Sequence, residues 1–263
     1  MNSLILKPGK EKSLLRRHPW IFSGAVERVK GDPAPGDTVR VVSASGAFLA
    51  QAAFSPQSGI RARVWNWSEA EEVDEAFFLR RLRAAVAERE RLPAFSEPRG
   101  ALRLVHGESD GLPGVNVDRY ADSLVLALTS AGAERWRDTV ARLLTGITGC
   151  ARVYERSDAE VRGLEGLPAH SGPVAGGEPP AHIEIQEPGN PPLCFRVDVR
   201  AGQKTGFFLD QRDNRALLRA LARGGEVLDA FCYTGGFALA AARGGAASVL
   251  ALDSSAQALA LAR

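Results

Sequence analysis

The chain is poor in cysteine, histidine, tyrosine and methionine, and the scarcity is informative. Three cysteines, Cys150, Cys194 and Cys232, stand far apart in 263 residues. They form neither a disulfide framework nor a zinc spacing, so a reducing compartment, the cytoplasm, is expected. Four histidines (His18, His106, His170 and His182) show no metal-ligand or triad spacing, and no metal is expected. No apolar run approaches the ~20 residues of a membrane span, so no membrane partner is expected. The first twenty residues put their basic side chains after a very short apolar patch, the wrong order for a secretory signal. No internal repeat is evident.

What remains is an ordinary globular composition, 45% hydrophobic and 24% charged. The net charge of +2 hides an uneven distribution. Residues 1–68 carry ten Lys/Arg against four Asp/Glu, leaving 23 against 27 for the rest. A basic lobe on a mildly acidic body suits a module that docks a polyanion. It equally suits a small domain that solvates its surface with lysine and arginine.

Three segments follow from pattern. Residues 1–72 read as mostly β, with strands at Thr38–Val42, Ala47–Phe54 and Ile60–Trp67, a turn at Ser43–Gly46 and a short helix within Gly9–Arg17. Trp20, Phe22, Trp65 and Trp67 are concentrated here and read mainly as core. Residues 73–190 read as α+β. A helix over Asp74–Leu92 is capped by Asp74 and ended by Pro93 and Pro98. Strands follow at Leu102–Val105, Val115–Asp118 and Ser123–Leu128, then a helix at Ala133–Leu144 and a Gly/Pro-rich boundary at Gly172–Pro180. Residues 191–263 begin with a strand at Phe195–Val199 and a helix at Gln211–Ala222.

That last segment holds the most informative stretch, Val227–Phe237, VLDAFCYTGGF. A strand-length apolar run, an acid, a Thr-Gly-Gly turn and an Ala-rich helix make the first half of a nucleotide-binding βαβ unit. A second run, Val249–Leu252, ends at Asp253, where such units hold the two hydroxyls of a ribose. Gly235 and Gly236 would let backbone approach a ligand closely.

Gly202–Arg215 (GQKTGFFLDQRDNR) followed by VLDAFCYTGGF resembles the bacterial large-subunit ribosomal RNA cytosine-5 methyltransferases. Glu11–Val26, Gly107–Tyr120, Ser130–Glu134 and Tyr154–Asp158 (YERSD) resemble that family at the corresponding places, so the similarity runs along the whole chain. The resemblance implies a multidomain α/β and α+β protein: an N-terminal β-rich PUA-like barrel, a central α+β domain and an incomplete Rossmann-like methyltransferase domain. It implies S-adenosylmethionine as cofactor and large-subunit ribosomal RNA as partner, with 5-methylcytosine the expected product.

Residue by residue, Asp253 would accept the ribose hydroxyls, and Asp229 would face the cationic methionine end of the cofactor. Asp210, Arg212 and Asn214 would add contacts at that end, with Phe231, Tyr233, Thr234 and Phe237 around the loop; strand–helix packing is the competing role for Phe231 and Phe237. Lys10, Lys12, Arg16, Arg17 and Arg61 are the candidate phosphate contacts, and His18 shares their segment. Methylation at carbon 5 needs a thiolate that adds to carbon 6. The resemblance places that cysteine and an Asp-Pro-Pro motif outside this sequence, so no catalytic residue is expected within it. Cys232 occupies a packing position in the loop, and Cys150 and Cys194 read as structural. Two readings remain beside a cytosine-5 enzyme: a fragment that binds RNA without catalysis, and a methyltransferase acting on another base.

Overall fold

The computed structural model describes residues 2–157 and 159–263; Asp158, the last residue of YERSD, lies outside them. The chain divides into two compact units. One comprises residues 1–89, 103–118 and 123–178, and the other residues 90–102, 119–122 and 179–263.

In the first unit a six-stranded sheet is built from β1 (Ser3–Leu6), β2 (Trp20–Phe22), β3 (Val26–Lys30), β4 (Thr38–Val42), β5 (Phe48–Phe54) and β6 (Ile60–Asn66), in the order β2-β6-β5-β4-β1-β3. Leu4, Leu6, Val39, Val41, Ala50, Ala52, Ala62 and Val64 alternate inward, as a sheet with one wet face requires. Three short strands escaped the pattern, because Ser3–Leu6 and Trp20–Phe22 have only four and three residues and Val26–Lys30 buries none of its side chains fully. The helix expected within Gly9–Arg17 is a single turn, α1 (Lys12–Leu15), stopped by Arg17 at φ 63°. The aromatics also need correcting. Trp65 is core and Trp67 packs against the buried cluster of the sheet, but Trp20 is half-buried and Phe22 is 52% exposed.

Helix α2 (Glu75–Arg89) begins where Asp74 Oδ1 accepts the Phe77 N–H at 2.8 Å. It buries Phe77, Phe78, Leu82, Ala85 and Val86. Pro93 does not end it; Pro93 starts a further turn, α3 (Pro93–Ser96), as proline at a first helical position often does. A five-stranded sheet uses β7 (Ala101–His106), β8 (Val115–Tyr120), β9 (Ser123–Leu128), β10 (Arg152–Ser157) and β11 (His170–Ala175), in the order β11-β10-β9-β8-β7. Strand β11 occupies part of the expected Gly172–Pro180 boundary. The helix expected at Ala133–Leu144 is two, α4 (Ala131–Arg135) and α5 (Arg137–Thr148), with Trp136 at the break. The break lets Trp136 stack on Phe78, centroids 4.4 Å apart, beside Trp65 at 5.1 Å from the same ring. Gly132 is required here, since a Cβ would lie 2.3 Å from Ala53 Cβ and 3.0 Å from the Trp65 ring. A further helix, α6 (Ala159–Leu164), precedes β11.

The second unit contains the hairpin β12 (Ile183–Glu187) and β13 (Leu193–Val197), helix α7 (Arg212–Leu221), the parallel pair β14 (Glu226–Ala230) and β15 (Ser248–Leu252), and helices α8 (Gly236–Arg243) and α9 (Ala256–Ala262). Ser255 caps α9 by accepting the Ala258 N–H, a cap the sequence reading had not assigned. The parallel pair has one bare face, on which Leu228 and Leu250 are 62% and 59% exposed. Parallel sheets are normally covered on both faces. Among the described residues no helix is long and apolar enough to cross a membrane.

Phe78 is the centre of the first unit's aromatic cluster. Phe78→Ala should destabilise that unit by about 3–5 kcal/mol, and Phe78→Leu by clearly less. Urea unfolding followed by tryptophan fluorescence would check this, because Trp65 and Trp136 report the same cluster.

Candidate functional site

The glycine loop takes its shape from three left-handed residues in five: Phe231 (φ 64°), Tyr233 (φ 51°) and Gly235 (φ 73°). Two of them carry side chains, so the conformation costs free energy that neighbouring contacts must offset. Those contacts come from the strand ends. The Cys232 N–H donates to Leu252 O at 2.9 Å, and the Tyr233 N–H to Asp253 Oδ2 at 2.8 Å. The Ala238 N–H, in the first turn of α8, donates to Asp229 Oδ2 at 2.8 Å.

The two carboxylates differ in character. Backbone N–H groups of Ser255 and Tyr233 hold Asp253 below the usual carboxylate range. Burial pushes Asp229 up, the Ala238 N–H opposes this, and the charge of Asp253 adds to the rise. Cys232 is buried, and its thiol is raised by that burial and by both carboxylates. It is therefore held in the protonated form, which is a poor nucleophile.

Tyr233 joins this loop to another that sequence reasoning had not tied to it. Its hydroxyl accepts the Gln203 N–H at 2.9 Å and donates to Gly206 O at 3.3 Å, and its ring meets Phe208 edge-on at 5.7 Å. A small cavity of about 90 Å³ lies between Gly202, Gln203, Tyr233, Thr234 and the start of α9. Beneath the loop, the buried pair Arg215–Glu187 supports Phe207 and Phe208. Arg215 Nε donates to Glu187 Oε2 at 2.9 Å and Nη1 to Phe208 O at 3.1 Å, while its guanidinium lies 4.6 Å from the Phe207 ring. Arg215 stands within the quoted GQKTGFFLDQRDNR stretch, but nothing local distinguishes it from its neighbours.

The residues expected around the cofactor thus fall into two groups. Asp229, Tyr233, Thr234, Gly235, Gly236 and Asp253 converge. Both glycines also meet protein: a Cβ on Gly235 would lie 3.1 Å from Ala262 Cβ, and one on Gly236 would lie 3.4 Å from Arg215 Cδ. Phe231 is 90% exposed, so packing does not explain it. Phe237 is half-buried. The hydrogen bonds and ion pairs of the other group lead elsewhere. Asp210 pairs with Lys204, whose hydrogen bond and charge outweigh burial and keep it low. Arg212 donates to Ala101 O. Asn214 donates to Gln211 Oε1 at 2.8 Å.

In the basic lobe, Lys10, Lys12, Arg16 and Arg17 are exposed, with the Arg17 guanidinium 5.0 Å from the Trp67 ring. Arg61 is half-buried, and its Nη1 donates to Pro56 O. Cys150 is buried and Cys194 exposed.

The donor chemistry fits a cationic nucleoside. A carboxylate has about four acceptor positions, so Asp253 keeps capacity for hydroxyl donors beyond its backbone bonds. Asp229 is raised chiefly by burial and to a lesser degree by the charge of Asp253, and an ammonium or sulfonium beside it would favour its ionised form.

Comparison with known proteins agrees with this. The family of PUA-like domains matches residues 4–67, and the family of S-adenosylmethionine-dependent methyltransferases matches residues 161–263. The chain is 49% identical over 263 residues to ribosomal RNA large subunit methyltransferase I of Erwinia tasmaniensis, and 49% identical over 261 residues to that of Salmonella arizonae. These alignments cover 99% of the chain but 65% and 64% of those relatives. Among solved structures, a protein from Streptococcus mutans described as a SAM-dependent methyltransferase superposes with TM-score 0.82 at 25% identity, over all of the chain and 66% of that protein. A methyltransferase complexed with SAH superposes with TM-score 0.84 at 26% identity, over all of the chain and 65% of that protein. The six-stranded lobe is a PUA-like curled sheet, and the second unit carries part of a SAM-methyltransferase fold.

Because its folded value is raised, Asp229 contributes stability below about pH 3.9, its ordinary value. That contribution is lost as pH rises through the raised value. Asp229→Asn should therefore be more stable than the parent at pH 7, with the gain vanishing as pH falls toward 4. Thermal unfolding across that range would check it.

Proposed function

Since the chain belongs to the ribosomal RNA large subunit methyltransferase I family, of whose curated relatives it spans about two thirds, we propose that the whole protein is an S-adenosylmethionine-dependent methyltransferase of large-subunit ribosomal RNA. The observation that carries this is 49% identity over 99% of the chain, joined to a loop whose two acids suit the cofactor. The cofactor, when bound, supplies the methyl group.

The chain's own residues bind and orient. Asp253 accepts the ribose hydroxyls. Asp229 faces the cationic end, where its ionised form becomes easier to hold. Tyr233 fixes Gln203–Gly206 against the loop, and Arg215 braces both from below. Thr234, Gly235 and Gly236 form the turn, while Phe231 presents an exposed ring at its entrance. Asp210, Arg212 and Asn214 are assigned to the methionine end on resemblance alone.

We assign residues 1–72 to RNA binding, 73–190 to a central α+β domain and 191–263 to the methyltransferase domain. Lys10, Lys12, Arg16, Arg17 and Arg61 are the proposed phosphate contacts, and carbon 5 of cytosine is the proposed target. The resemblance places the thiolate nucleophile in the remainder of the protein, and the raised Cys232 thiol suits the packing role assigned to it here.

Transfer of labelled methyl groups from S-adenosylmethionine to unmodified large-subunit RNA by the full-length protein tests this. The product should be 5-methylcytosine by nucleoside mass spectrometry; absence of any transfer would overturn the reading. Asp253→Ala should weaken cofactor binding roughly tenfold or more, measured by titration calorimetry. The 263-residue chain alone should bind RNA with salt-sensitive affinity and transfer nothing. Turnover by it would make Cys232 the nucleophile.

A further inference from the structure

The first unit contains a cavity of about 770 Å³ that the cofactor site does not use. Trp20 and Phe22, on the outward face of edge strand β2, form one wall, with Ile60 beside them and Val161 and Leu164 of α6 lining it as well. Large apolar groups are normally withdrawn from water, yet Phe22, Val161 and Leu164 are 52%, 51% and 73% exposed. Together with His18 the two aromatics make a continuous array, with centroids 5.9 Å apart for His18–Trp20 and 6.3 Å for Trp20–Phe22.

The cavity's charged lining residues are already committed. Glu165 is 3% exposed and stays ionised: burial pushes its carboxyl up, but hydrogen bonds from Ser58 and Ser55 and the Arg63 guanidinium hold it below the usual range. Arg63 Nη1 donates to it at 2.8 Å. At the rim, Glu108 Oε1 accepts the Trp20 indole N–H at 2.7 Å, which fixes the ring plane. Glu108 also lines a second cavity of about 360 Å³, where Arg17 and Arg81 supply positive charge. An aromatic wall and a cationic recess thus share one residue as their boundary.

We propose that this pair of cavities takes one unpaired nucleotide of an RNA strand, the base against Trp20 and Phe22 and its phosphate toward Arg17 and Arg81. Splayed bases stacked on aromatic side chains are the common mode of single-strand RNA recognition. Exposed aromatics beside cations suit that ligand better than an apolar peptide, which has no use for the Arg17–Arg81 recess. The inference rests on the reading of the protein as RNA-directed, and extends it from phosphate contacts to a base-accepting site.

The test uses the full-length protein, a fluorescein-labelled single-stranded RNA of about twelve nucleotides and the same strand paired with its complement. Phe22→Ala should leave the melting temperature unchanged, since the ring is half exposed. It should weaken single-strand binding roughly tenfold with the salt slope unaltered, because stacking releases no counterions. Phe22→Tyr should restore binding, and duplex affinity should not move. Unchanged single-strand affinity in Phe22→Ala, or equal weakening for single strand and duplex, overturns the base site. If the parent nonetheless methylates ribosomal RNA, the methyltransferase reading stands without it. A parent that binds neither RNA overturns the base site, whereas only failure to methylate large-subunit RNA overturns the methyltransferase reading.

Discussion

The second unit depends on a buried ion pair. Arg215 and Glu187 are 2% and 3% exposed, and each has lost nearly all its water. Desolvation of that kind is offset only where further hydrogen bonds complete the geometry. Here the guanidinium also reaches Phe208 O and lies against Phe207. One charge therefore fixes the hairpin β12–β13, the start of α7 and the stretch through Phe208. Removing either partner would strand the other in a dry site, a loss of about 3–5 kcal/mol in comparable cases. From Phe208 the order passes to Tyr233, whose hydroxyl closes the gap to Gln203 and Gly206. The left-handed turn between the carboxylates persists because it is held from both sides.

The first unit uses the same device once more. Glu165 gathers Ser55, Arg63 and the N–H of Ala131, so the small sheet, the start of α4 and the segment after α6 share one carboxylate. The aromatic cluster of Trp65, Phe78 and Trp136 adds apolar burial. The buried ions set how the elements are placed, and burial of the aliphatic and aromatic core supplies the favourable free energy.

Some of this was legible in order along the chain. Short β-prone runs located β4, β5, β6 and β9, with alternation among them at Ile60–Trp67, and the Asp74 cap located α2. VLDAFCYTGGF and Asp253 located the loop and the second acid, because strand, turn and helix there are consecutive and each obeys a local rule. The failures share a cause. Trp20–Phe22 is too short to show alternation, so its rings were assigned to the core although its edge position leaves them facing out. The break at Trp136 follows from where Phe78 sits. Arg215 was passed over because its partner Glu187 is 28 positions away, a distance no local pattern encodes.

The amino-acid sequence alone determined the order of folded segments, the identity of the glycine loop and its two acids, and the resemblance that points to a methyl donor. Those properties rest on neighbouring residues and on backbone preferences. Only the tertiary structure decided that Asp229 is elevated while Asp253 is not, that Cys232 is held as a thiol, and that Tyr233 ties two loops together. It alone decided that exposed aromatics border a cationic recess. Each of these depends on burial and on through-space charge, and both arise from residues that meet only when the chain has folded.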